Sequence, residues 1–406
     1  MRQNGLNSPQ PRTRDAIKRF DAQAYLELPR IARELLTGRF EFALQDGVLL
    51  SRGAGKAPRP VVVAAIKNRV VQRAILDVLQ RVRSIRSVLL SDTSFGGIAT
   101  RGVRTAIAET AKALEAGHEW FYRSDIKDFF TKIPRERVVQ FVIEATADAE
   151  ISELLKRAAE TKLRPESVVK LGEDVRLFPL DGTGVAQGSA LSAFMGNILL
   201  RDFDQSMNTR GIRFIRYIDD FLVLGPSARH VKKAFESART QLSAFDMTPY
   251  EEGSGKKASF GRTTGGLEFL GARIRRGRVE PSEKSKRAIL ERIGKVVSQG
   301  KQTIGRISKG DGRRIEPRTR FVQTVSHVDL ILEGWSKAVD YCDPRTSWED
   351  LDRRVDDLLT DLLLAFRRRW RTAEDLAKRR QMLGVRMLRD IKGMEWKDLM
   401  AMESLE

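Results

Sequence analysis

Two apolar stretches with the composition of buried strands each carry aspartate side chains. Asp125 lies in the first, residues 121–130, and Asp219 and Asp220 lie in the second, residues 216–224. A carboxylate in a buried strand costs free energy unless a cation or hydrogen bonds compensate its charge. Magnesium is a common compensation, because it prefers carboxylate oxygens and keeps positions open for phosphate. The pattern therefore predicts a fold that gathers both acidic sites around divalent metal.

A simple turn is the alternative for Asp219 and Asp220, because aspartate favours turns. The apolar sequence on both sides of the pair and the matching site at Asp125 favour the metal hypothesis instead. Two metal ions about 4 Å apart can activate an attacking hydroxyl and stabilise the leaving oxygen of an in-line displacement. Phosphoryl transfer of this kind needs positioning and charge neutralisation, and it asks little covalent work of the protein.

The charge balance points to a nucleic-acid partner. The 406 residues carry a net charge of +19, and the isoelectric point is near 10.2. Such an excess attracts polyanions, of which nucleic acid is the commonest, and the alternative is that the charge only keeps the protein soluble. A content of 41% hydrophobic and 31% charged residues is typical of a globular protein and not of a disordered one.

Several other kinds of site and location are disfavoured. A single cysteine, Cys342, excludes internal disulfides and a cysteine-rich zinc site. We interpret Cys342 and the three histidines as packed residues, because the histidines lie far apart without metal-ligand spacing. No apolar stretch suits a signal peptide or is long enough to span a bilayer, so we expect a cytoplasmic protein with no membrane partner.

The apolar periodicity predicts strands and helices up to about residue 280 and helices alone beyond it, which indicates an α+β fold. Helices are predicted at residues 14–36, 68–88, 135–165 and 191–207. Strands are predicted at residues 61–63 and 119–130, as a pair that turns over residues 218–220, and as a second pair within residues 265–274. The helical part from residue 282 is expected to break near residues 299–316.

Residues 217–220, Tyr-Ile-Asp-Asp, resemble the Tyr-x-Asp-Asp hairpin of the reverse transcriptase family, and residues 125–130 resemble its first catalytic strand. The resemblance implies a right-hand polymerase with fingers, an antiparallel palm and a helical thumb, which copies RNA into DNA. It implies that Asp125 and Asp219 bind two Mg²⁺ ions, with Mn²⁺ as an alternative, and that Asp220 assists. Asp128 is expected to be a turn or helix-capping residue.

The resemblance extends to the binding of the incoming nucleotide. Residues 184–192 resemble the family's Gln-Gly-x-x-x-Ser segment, which implies that Gln187 and Gly188 contact nucleotide and template. A glycine-flanked loop at a helix start can bring N–H groups close to a phosphate, although such loops often only begin helices. Phe130 lies where the family places an aromatic sugar gate, and ordinary core packing is the alternative.

Basic residues upstream resemble the fingers of bacterial reverse transcriptases, in which an Arg-Pro strand precedes a Lys-x-Arg-Val-Val-Gln helix start. Arg59, Lys67 and Arg69 are therefore candidate triphosphate ligands, with Lys56 as a further cation on the preceding loop. Cations at this place can neutralise the charge that develops on departing pyrophosphate. The alternative is a solvated basic face.

Further segments follow in the family's order. Lys256 or Lys257 lies where the family carries a lysine near the pyrophosphate. Lys257 is therefore a candidate general acid, and surface charge is the alternative. The stretch that resembles the primer-grip hairpin contains Phe269, Leu270 and Gly271.

The same comparison predicts how the chain is divided. We expect an N-terminal segment and fingers at residues 1–118, a palm at 119–280 with a finger insertion at 135–180, a thumb at 281–345 and a basic helical C-terminal extension at 346–406. Residues 332–336 resemble the Gly-Trp helix in the thumb of group II intron-type enzymes. Residues 94–97 resemble a Ser-x-Gly-Phe-Arg segment, but Gly-Ile stands where Phe-Arg is common.

The sixty residues after the thumb are too few for a nuclease domain, so the chain resembles the stand-alone, defence-associated reverse transcriptases. That class implies a non-coding RNA partner as template, dNTP substrates, a cDNA product and a role against phage. A group II intron-type maturase that only binds RNA, and a retron reverse transcriptase, are the alternatives. An RNA polymerase of similar palm design is disfavoured by Phe130. The resemblance does not imply a particular template, product, priming hydroxyl or phage trigger. It also implies no oligomeric state, so a homo-oligomer is one alternative.

Replacement of Phe130 by alanine is expected to relax sugar selection, because loss of the ring opens space for a 2′-hydroxyl. The ratio of kcat/KM for dTTP to that for UTP should fall by roughly 10- to 100-fold. Phe141→Ala, which lies outside the motifs, should leave the ratio unchanged. An unchanged ratio in Phe130→Ala would mean that the ring only packs.

Overall fold

The computed structural model describes residues 11–51, 57–180, 182–311, 315–343, 348–373, 375–385 and 387. The chain divides after Gly265 into two compact units, and each of them combines helices with antiparallel strands. The predicted α+β class is therefore confirmed. Lys56 and most residues beyond 385 in the predicted C-terminal extension lie outside the described residues, as does the side chain of Lys256.

Helices and strands alternate along the first unit. Its helices are α1 (Pro11–Ala22), α2 (Ala24–Leu36), α3 (Ile66–Leu79), α4 (Arg83–Leu89), α5 (Val103–Glu115), α6 (Arg135–Thr146), α7 (Ala149–Ala159), α8 (Pro165–Leu171), α9 (Ala190–Leu199), α10 (Arg201–Met207) and α11 (Ala228–Ser243). Its strands are β1 (Asp46–Leu50), β2 (Arg59–Val63), β3 (Trp120–Asp125), β4 (Arg213–Tyr217), β5 (Asp220–Gly225) and β6 (Ser259–Arg262).

A four-stranded antiparallel sheet in the order β4-β5-β3-β6 forms the centre of the first unit. Its strands are rich in aromatic and β-branched residues, and residues 221–224 of β5 are fully buried. Helix α11 packs on β3 and β5, where Phe235 stacks on Tyr122 with 3.8 Å between ring centroids. Nearly every side chain of α9 is buried in the same core, as expected for a helix that is apolar on all sides.

A separate two-stranded sheet pairs β1 with β2. Val62 of β2 is buried and packs with Phe178 and Ala186 in a small cluster of its own. The backbone N–H of Val62 also donates to the carbonyl of Gln187 at 3.1 Å. Strand β2 therefore lies against the loop that precedes α9.

The second unit begins with a three-stranded antiparallel meander and continues with helices. Its elements are β7 (Leu267–Phe269), β8 (Ala272–Arg275), β9 (Arg278–Pro281), α12 (Glu283–Ser308), α13 (Phe321–Ala338), α14 (Trp348–Thr372) and α15 (Leu376–Leu383). Helix α12 packs against α13, α14 and α15. Ile293 and Ile304 of α12, Val328 of α13 and Leu362 of α14 are almost fully buried in the common core.

Three predicted helices are interrupted or shortened in the structure. Residues 68–88 form two helices, because α3 ends at Leu79 and α4 begins at Arg83. Residues 191–207 are divided at Leu200 between α9 and α10. Residues 135–165 contain α6 and α7, which Ala147 separates with a positive φ of 52°, and the chain leaves the helix after Ala159. Apolar spacing of three and four persists across such breaks, so periodicity alone did not reveal them.

The predicted break near residues 299–316 is wrong at its start. Helix α12 continues through this region to Ser308, because Ile304 and Ile307 extend its buried stripe and glycine is tolerated inside a well-packed helix. The predicted strand pair within residues 265–274 is present as β7 and β8, and β9 adds a third strand that was not predicted.

Two glycines of α12 provide a matched test of its packing. An added Cβ at Gly294 would meet nothing within 4 Å, so Gly294→Ala should stabilise the protein by about 0.5–1 kcal/mol through helix propensity. An added Cβ at Gly300 would lie 2.7 Å from Oγ1 of the fully buried Thr324. Gly300→Ala should therefore destabilise by about 1–3 kcal/mol from overpacking. Urea unfolding of the full chain measures both changes, and a stabilising Gly300→Ala would contradict the close approach of α12 and α13.

Candidate active site

The register of the central sheet brings the two predicted acidic sites together. Strands β3 and β5 are antiparallel, and Asp125 at the end of β3 lies directly opposite Asp220 at the start of β5. Ile218 and Asp219 form the turn between β4 and β5. The N–H of Ile126 donates to the carbonyl of Asp219 at 2.9 Å, which fixes the turn beside β3. Opposed residues of antiparallel strands have Cα atoms about 4.5–5.5 Å apart, so the acidic residues share one edge of the sheet.

The turn has an uncommon backbone conformation. Ile218 has a φ of 62°, in the left-handed region that β-branched residues rarely adopt. Gly96 lies so near that an added Cβ would be 2.6 Å from Cγ1 of Ile218 and 2.7 Å from its backbone nitrogen. An added Cβ at Gly97 would overlap the Cβ of Ala193. Residues 94–97 therefore pack behind the turn. This role was not predicted from the sequence, although two adjacent glycines are typical of a place where backbone segments approach closely.

Burial and like charges dominate the electrostatics of this edge. Burial and the charges of Asp125 and Asp219 raise the pKa of Asp220 to about 6, against weaker opposition from Arg123 and Lys257. Burial and the charge of Asp125 also raise the pKa of Asp219, which Lys257 and Arg59 oppose. Asp125 itself is only 8% exposed. Asp219 and Asp220 are partly exposed, and the repulsion that raises their pKa values shows that the three carboxyl groups have too little positive charge around them.

Lys257 provides part of the missing charge. Arg123 of β3 lies opposite Ser259 at the start of β6, and Lys257 lies in a short 3₁₀ turn just before β6, beside Asp125. The ammonium group of Lys257 donates to the Asp125 carboxylate and lies 5.3 Å from the centre of the Tyr250 ring. Burial lowers the pKa of Lys257, but the hydrogen bond and the charge of Asp125 outweigh this effect, so the pKa lies above its ordinary value. The side chain is therefore protonated at neutral pH.

The donor set suits a divalent cation in its chemistry. Asp125, Asp219 and Asp220 offer only carboxylate oxygens, which Mg²⁺ prefers, and a cation between them would relieve the repulsion that raises the pKa values of Asp219 and Asp220. Across the described ranges, no three His, Cys, Asp or Glu side chains are already arranged as a metal-ligand group. In this structure the Lys257 ammonium lies against the carboxylate of Asp125.

A second cluster joins three of the predicted nucleotide-binding residues. The Nε of Arg59, in β2, donates to the Oε1 of Gln187 at 2.6 Å. Gly188 has a φ of 108°, and an added Cβ there would lie 3.3 Å from the carbonyl oxygen of Val62. Arg59 also lowers the pKa of Asp219 by its charge. Strand β2, the Gln187 loop and the acidic edge are therefore neighbours.

The other two predicted triphosphate ligands show no such link. Lys67 has its ammonium group 5.5 Å from the centre of the buried Phe40 ring, a cation–π contact. Arg69 lies in the first turn of α3, where its backbone N–H donates to the carbonyl of Ala65 at 3.1 Å. Neither residue is among the charges with the largest effect on the pKa of Asp219.

Asp128 and Phe130 lie just beyond β3. Asp128 adopts a left-handed conformation with a φ of 50°, and its carbonyl accepts from the N–H of Thr131 at 3.0 Å. It is a turn residue as predicted, although its side chain makes no capping hydrogen bond. Phe130 is half-buried, with its ring centre 5.4 Å from that of Phe129, and the N–H of Val185 donates to its carbonyl at 2.7 Å. The backbone of Phe130 therefore lies beside the segment that leads to Gln187.

The predicted primer-grip residues form a hairpin at the start of the second unit. Phe269 ends β7 and is buried, and β8 begins at Ala272. Leu270 and Gly271 between them have φ values of 49° and 83°. Two positive φ values are typical of the tight turns that join antiparallel strands. Trp335 of the predicted thumb motif lies on α13, with its ring 5.7 Å from that of Trp348.

The profile of the family described as Reverse transcriptase (RNA-dependent DNA polymerase) matches residues 52–274, more than half of the chain. The matched region contains both acidic sites, Lys257 and the Arg59–Gln187 cluster. The chain therefore belongs to the reverse transcriptase family, and the predicted membership is confirmed.

Two curated relatives are similar to parts of this chain. Protein YkfC of Escherichia coli (strain K12) is 28% identical over 203 residues, which cover 48% of this chain and 50% of that protein. The uncharacterized 91 kDa protein in cob intron of Schizosaccharomyces pombe is 24% identical over 219 residues, covering 54% of this chain and 24% of that protein. The aligned region thus spans half or less of either relative.

Solved structures show a distant similarity. Apo telomerase from Candida tropicalis, truncated from its C-terminal domain, aligns with a TM-score of 0.40 and 13% identity over 59% of this chain and 55% of that chain. A partial Cas6-RT-Cas1–Cas2 complex aligns with a TM-score of 0.30 and 18% identity over 58% of this chain and 42% of that chain. These similarities add nothing to the family assignment. No helix in the described part of the chain is long and apolar enough to cross a membrane.

The raised pKa of Asp220 makes stability depend on pH. Because the folded-state pKa of about 6 exceeds the ordinary 3.8, unfolding releases a proton between these pH values, and the contribution of Asp220 to stability falls as pH rises through that window. In EDTA at pH 7.5, Asp220→Asn should therefore be more stable than the native protein, by at most about 3 kcal/mol. The gain should vanish below about pH 4.

Thermal unfolding of both proteins between pH 4 and pH 8 measures this difference. Asp202→Asn is the matched control, because the Asp202 side chain is 76% exposed and pairs only at the surface with Arg201. It should show no gain that depends on pH. An Asp220→Asn protein less stable than the native one at pH 7.5 would contradict the charge repulsion described for this edge.

Proposed function

We propose that this chain is an RNA-directed DNA polymerase that makes cDNA by two-metal nucleotidyl transfer. The observation that carries the proposal is the pairing of Asp125 with Asp220 across β3 and β5, with Asp219 in the adjoining turn, in a chain of the reverse transcriptase family. Acidic residues from distant parts of the sequence meet at one strand edge and repel one another. Such an edge is suited to hold divalent cations next to phosphate groups.

In this proposal Asp125 and Asp219 hold two Mg²⁺ ions, or Mn²⁺ in their place, and Asp220 assists. Bound there, the ions would lower the pKa of the primer hydroxyl and stabilise the leaving oxygen of the pyrophosphate. The turn keeps Asp219 beside β3 through the hydrogen bond from Ile126. The Lys257 ammonium already lies against the carboxylate of Asp125, so a cation held there would compete with it for this ligand.

Neighbouring side chains act on the nucleotide in this proposal. Arg59 and Gln187, already hydrogen-bonded to each other, bind the triphosphate and the base-paired nucleotide, and Gly188 permits a close approach of backbone. Lys257 is protonated and lies beside Asp125, so it can give a proton to the departing pyrophosphate.

The remaining assignments depend on the family resemblance. We propose that Lys67 and Arg69 bind phosphate, that Phe130 excludes the 2′-hydroxyl, and that the hairpin of residues 269–271 seats the primer end. The net charge of +19 suits an RNA template, for which we propose a non-coding RNA in a bacterial, cytoplasmic antiphage system.

Sequencing of the nucleic acid that copurifies with the protein tests this role. Recovered cDNA would supply template and product together, whereas bound RNA without cDNA would favour a maturase.

The catalytic assignment is tested by Asp219→Asn combined with Asp220→Asn. On a poly(rA) template with an oligo(dT) primer, dTTP and Mg²⁺, this variant should lose incorporation by roughly 1,000-fold or more, because the cations lose their ligands. Asp356→Asn combined with Asp357→Asn is the matched control, since these adjacent aspartates are exposed on α14. The control should retain full activity, and both variants should still bind the primed template. Synthesis that persists in the first variant would refute the assignment.

A further inference from the structure

The largest fully buried side chain in the described part of the protein is a charged one. Arg216, the residue before Tyr217 in β4, is 0% exposed. Its Nε donates to Oδ1 of Asp204 at 2.7 Å, and its Nη2 donates to Oδ2 of the same carboxylate. A buried guanidinium group is costly unless good geometry and additional hydrogen bonds compensate it. Arg216 therefore needs several well-placed hydrogen bonds to be stable at this position.

The other two contacts of the Nη2 group lie on different elements. It also donates to Oγ of Ser94 at 3.0 Å and to Oδ1 of Asn197 at 3.1 Å. Ser94 and Asn197 are hydrogen-bonded to each other at 3.1 Å, and Nδ2 of Asn197 donates to the carbonyl of Gly96 at 2.9 Å. We call Ser94, Asn197, Asp204 and Arg216 the hairpin bracket. It joins α9, α10 and the segment behind the turn.

The last donor of Arg216 points at the turn itself. Its Nη1 donates to the carbonyl oxygen of Ile218 at 2.8 Å. Ile218 has the left-handed φ of 62°, a conformation that costs about 1 kcal/mol or more and persists only where surrounding contacts enforce it. On the other side, the N–H of Phe95 donates to the carbonyl of Arg216 at 2.9 Å. The fork of Arg216 thus fixes the residue that immediately precedes Asp219.

From this geometry we propose that Arg216 is a positioning residue, which holds the turn in the shape that presents Asp219 beside Asp125. The inference deepens the proposed function and rests on it for the role of Asp219. Because Arg216 is fully buried, it acts on the site through Ile218 and through the hairpin bracket. A lysine at this place keeps the charge but has no planar fork, so it cannot bind Asp204 and the Ile218 carbonyl together.

Arg216→Lys tests the proposal, with Arg135→Lys as the matched control. Arg135 is also buried in the first unit, at 7% exposure, and donates to the carbonyls of Gly182 and Ala159. Two readouts besides activity are used. Mn²⁺ binding is followed by electron paramagnetic resonance, and hydrogen exchange is measured at the amide of Ile126, which donates to the carbonyl of Asp219.

In Arg216→Lys we expect Mn²⁺ affinity to fall by roughly 10- to 100-fold, as for other residues that orient metal ligands. Exchange at Ile126 should accelerate, and single-nucleotide incorporation per folded molecule should fall with the Mn²⁺ affinity. In Arg135→Lys the melting temperature should fall, while Mn²⁺ affinity and exchange at Ile126 stay within about twofold of the native values, because this side chain orients no metal ligand.

Two further outcomes separate this inference from the proposed function. If the native protein binds Mn²⁺ in a manner that requires Asp219 but makes no DNA, the proposed function fails, and weaker Mn²⁺ binding in Arg216→Lys still supports the positioning role. If exchange at Ile126 is the same in Arg216→Lys and the native protein, the positioning role is overturned whatever the metal result. A loss of melting temperature alone, with both readouts unchanged, would overturn it as well.

Discussion

The pairing of β3 with β5 places like charges opposite one another, and much of the first unit serves to tolerate that arrangement. Asp125 and Asp220 are register partners, and Asp219 follows in the turn. Like charges directly across an antiparallel pair are destabilising. The apolar strands on both sides supply the burial that keeps the pair together, while Lys257 and Arg59 supply part of the opposite charge. The acidic edge is therefore maintained by the rest of the fold, at a cost in stability that a purely structural sheet would avoid.

Two different kinds of support converge on this edge. Lys257 and Arg59 act by charge, and both belong to segments that pack beside the sheet or near it. The hairpin bracket acts by geometry, because its hydrogen bonds fix a backbone conformation that an isoleucine would rarely adopt alone. Gly96 makes room for this arrangement by lacking a Cβ. Charge compensation and turn geometry are thus carried by separate residues, which can be altered separately.

The sequence predicted the parts that local pattern determines. The α+β class, the turn at Ile218 and Asp219 and the membership of the reverse transcriptase family all followed from apolar periodicity and short motifs. The helix breaks at Leu200 and after Leu79 were not predicted, because the same apolar spacing continues across them. The role of Arg216 was not predicted for a different reason. In the sequence it resembles one more surface cation of a basic chain, and its partners Ser94 and Asp204 lie on other elements than its own strand. Only the tertiary fold reveals that contact.

The ion pair between Lys257 and Asp125 affects how far the folded state depends on a bound cation. If this edge had no basic side chain beside it, the repulsion among its carboxylates would oppose folding in full until a cation was bound. Here the ammonium group of a side chain already compensates one of the carboxylates, so the folded edge carries part of its opposite charge without any bound ion.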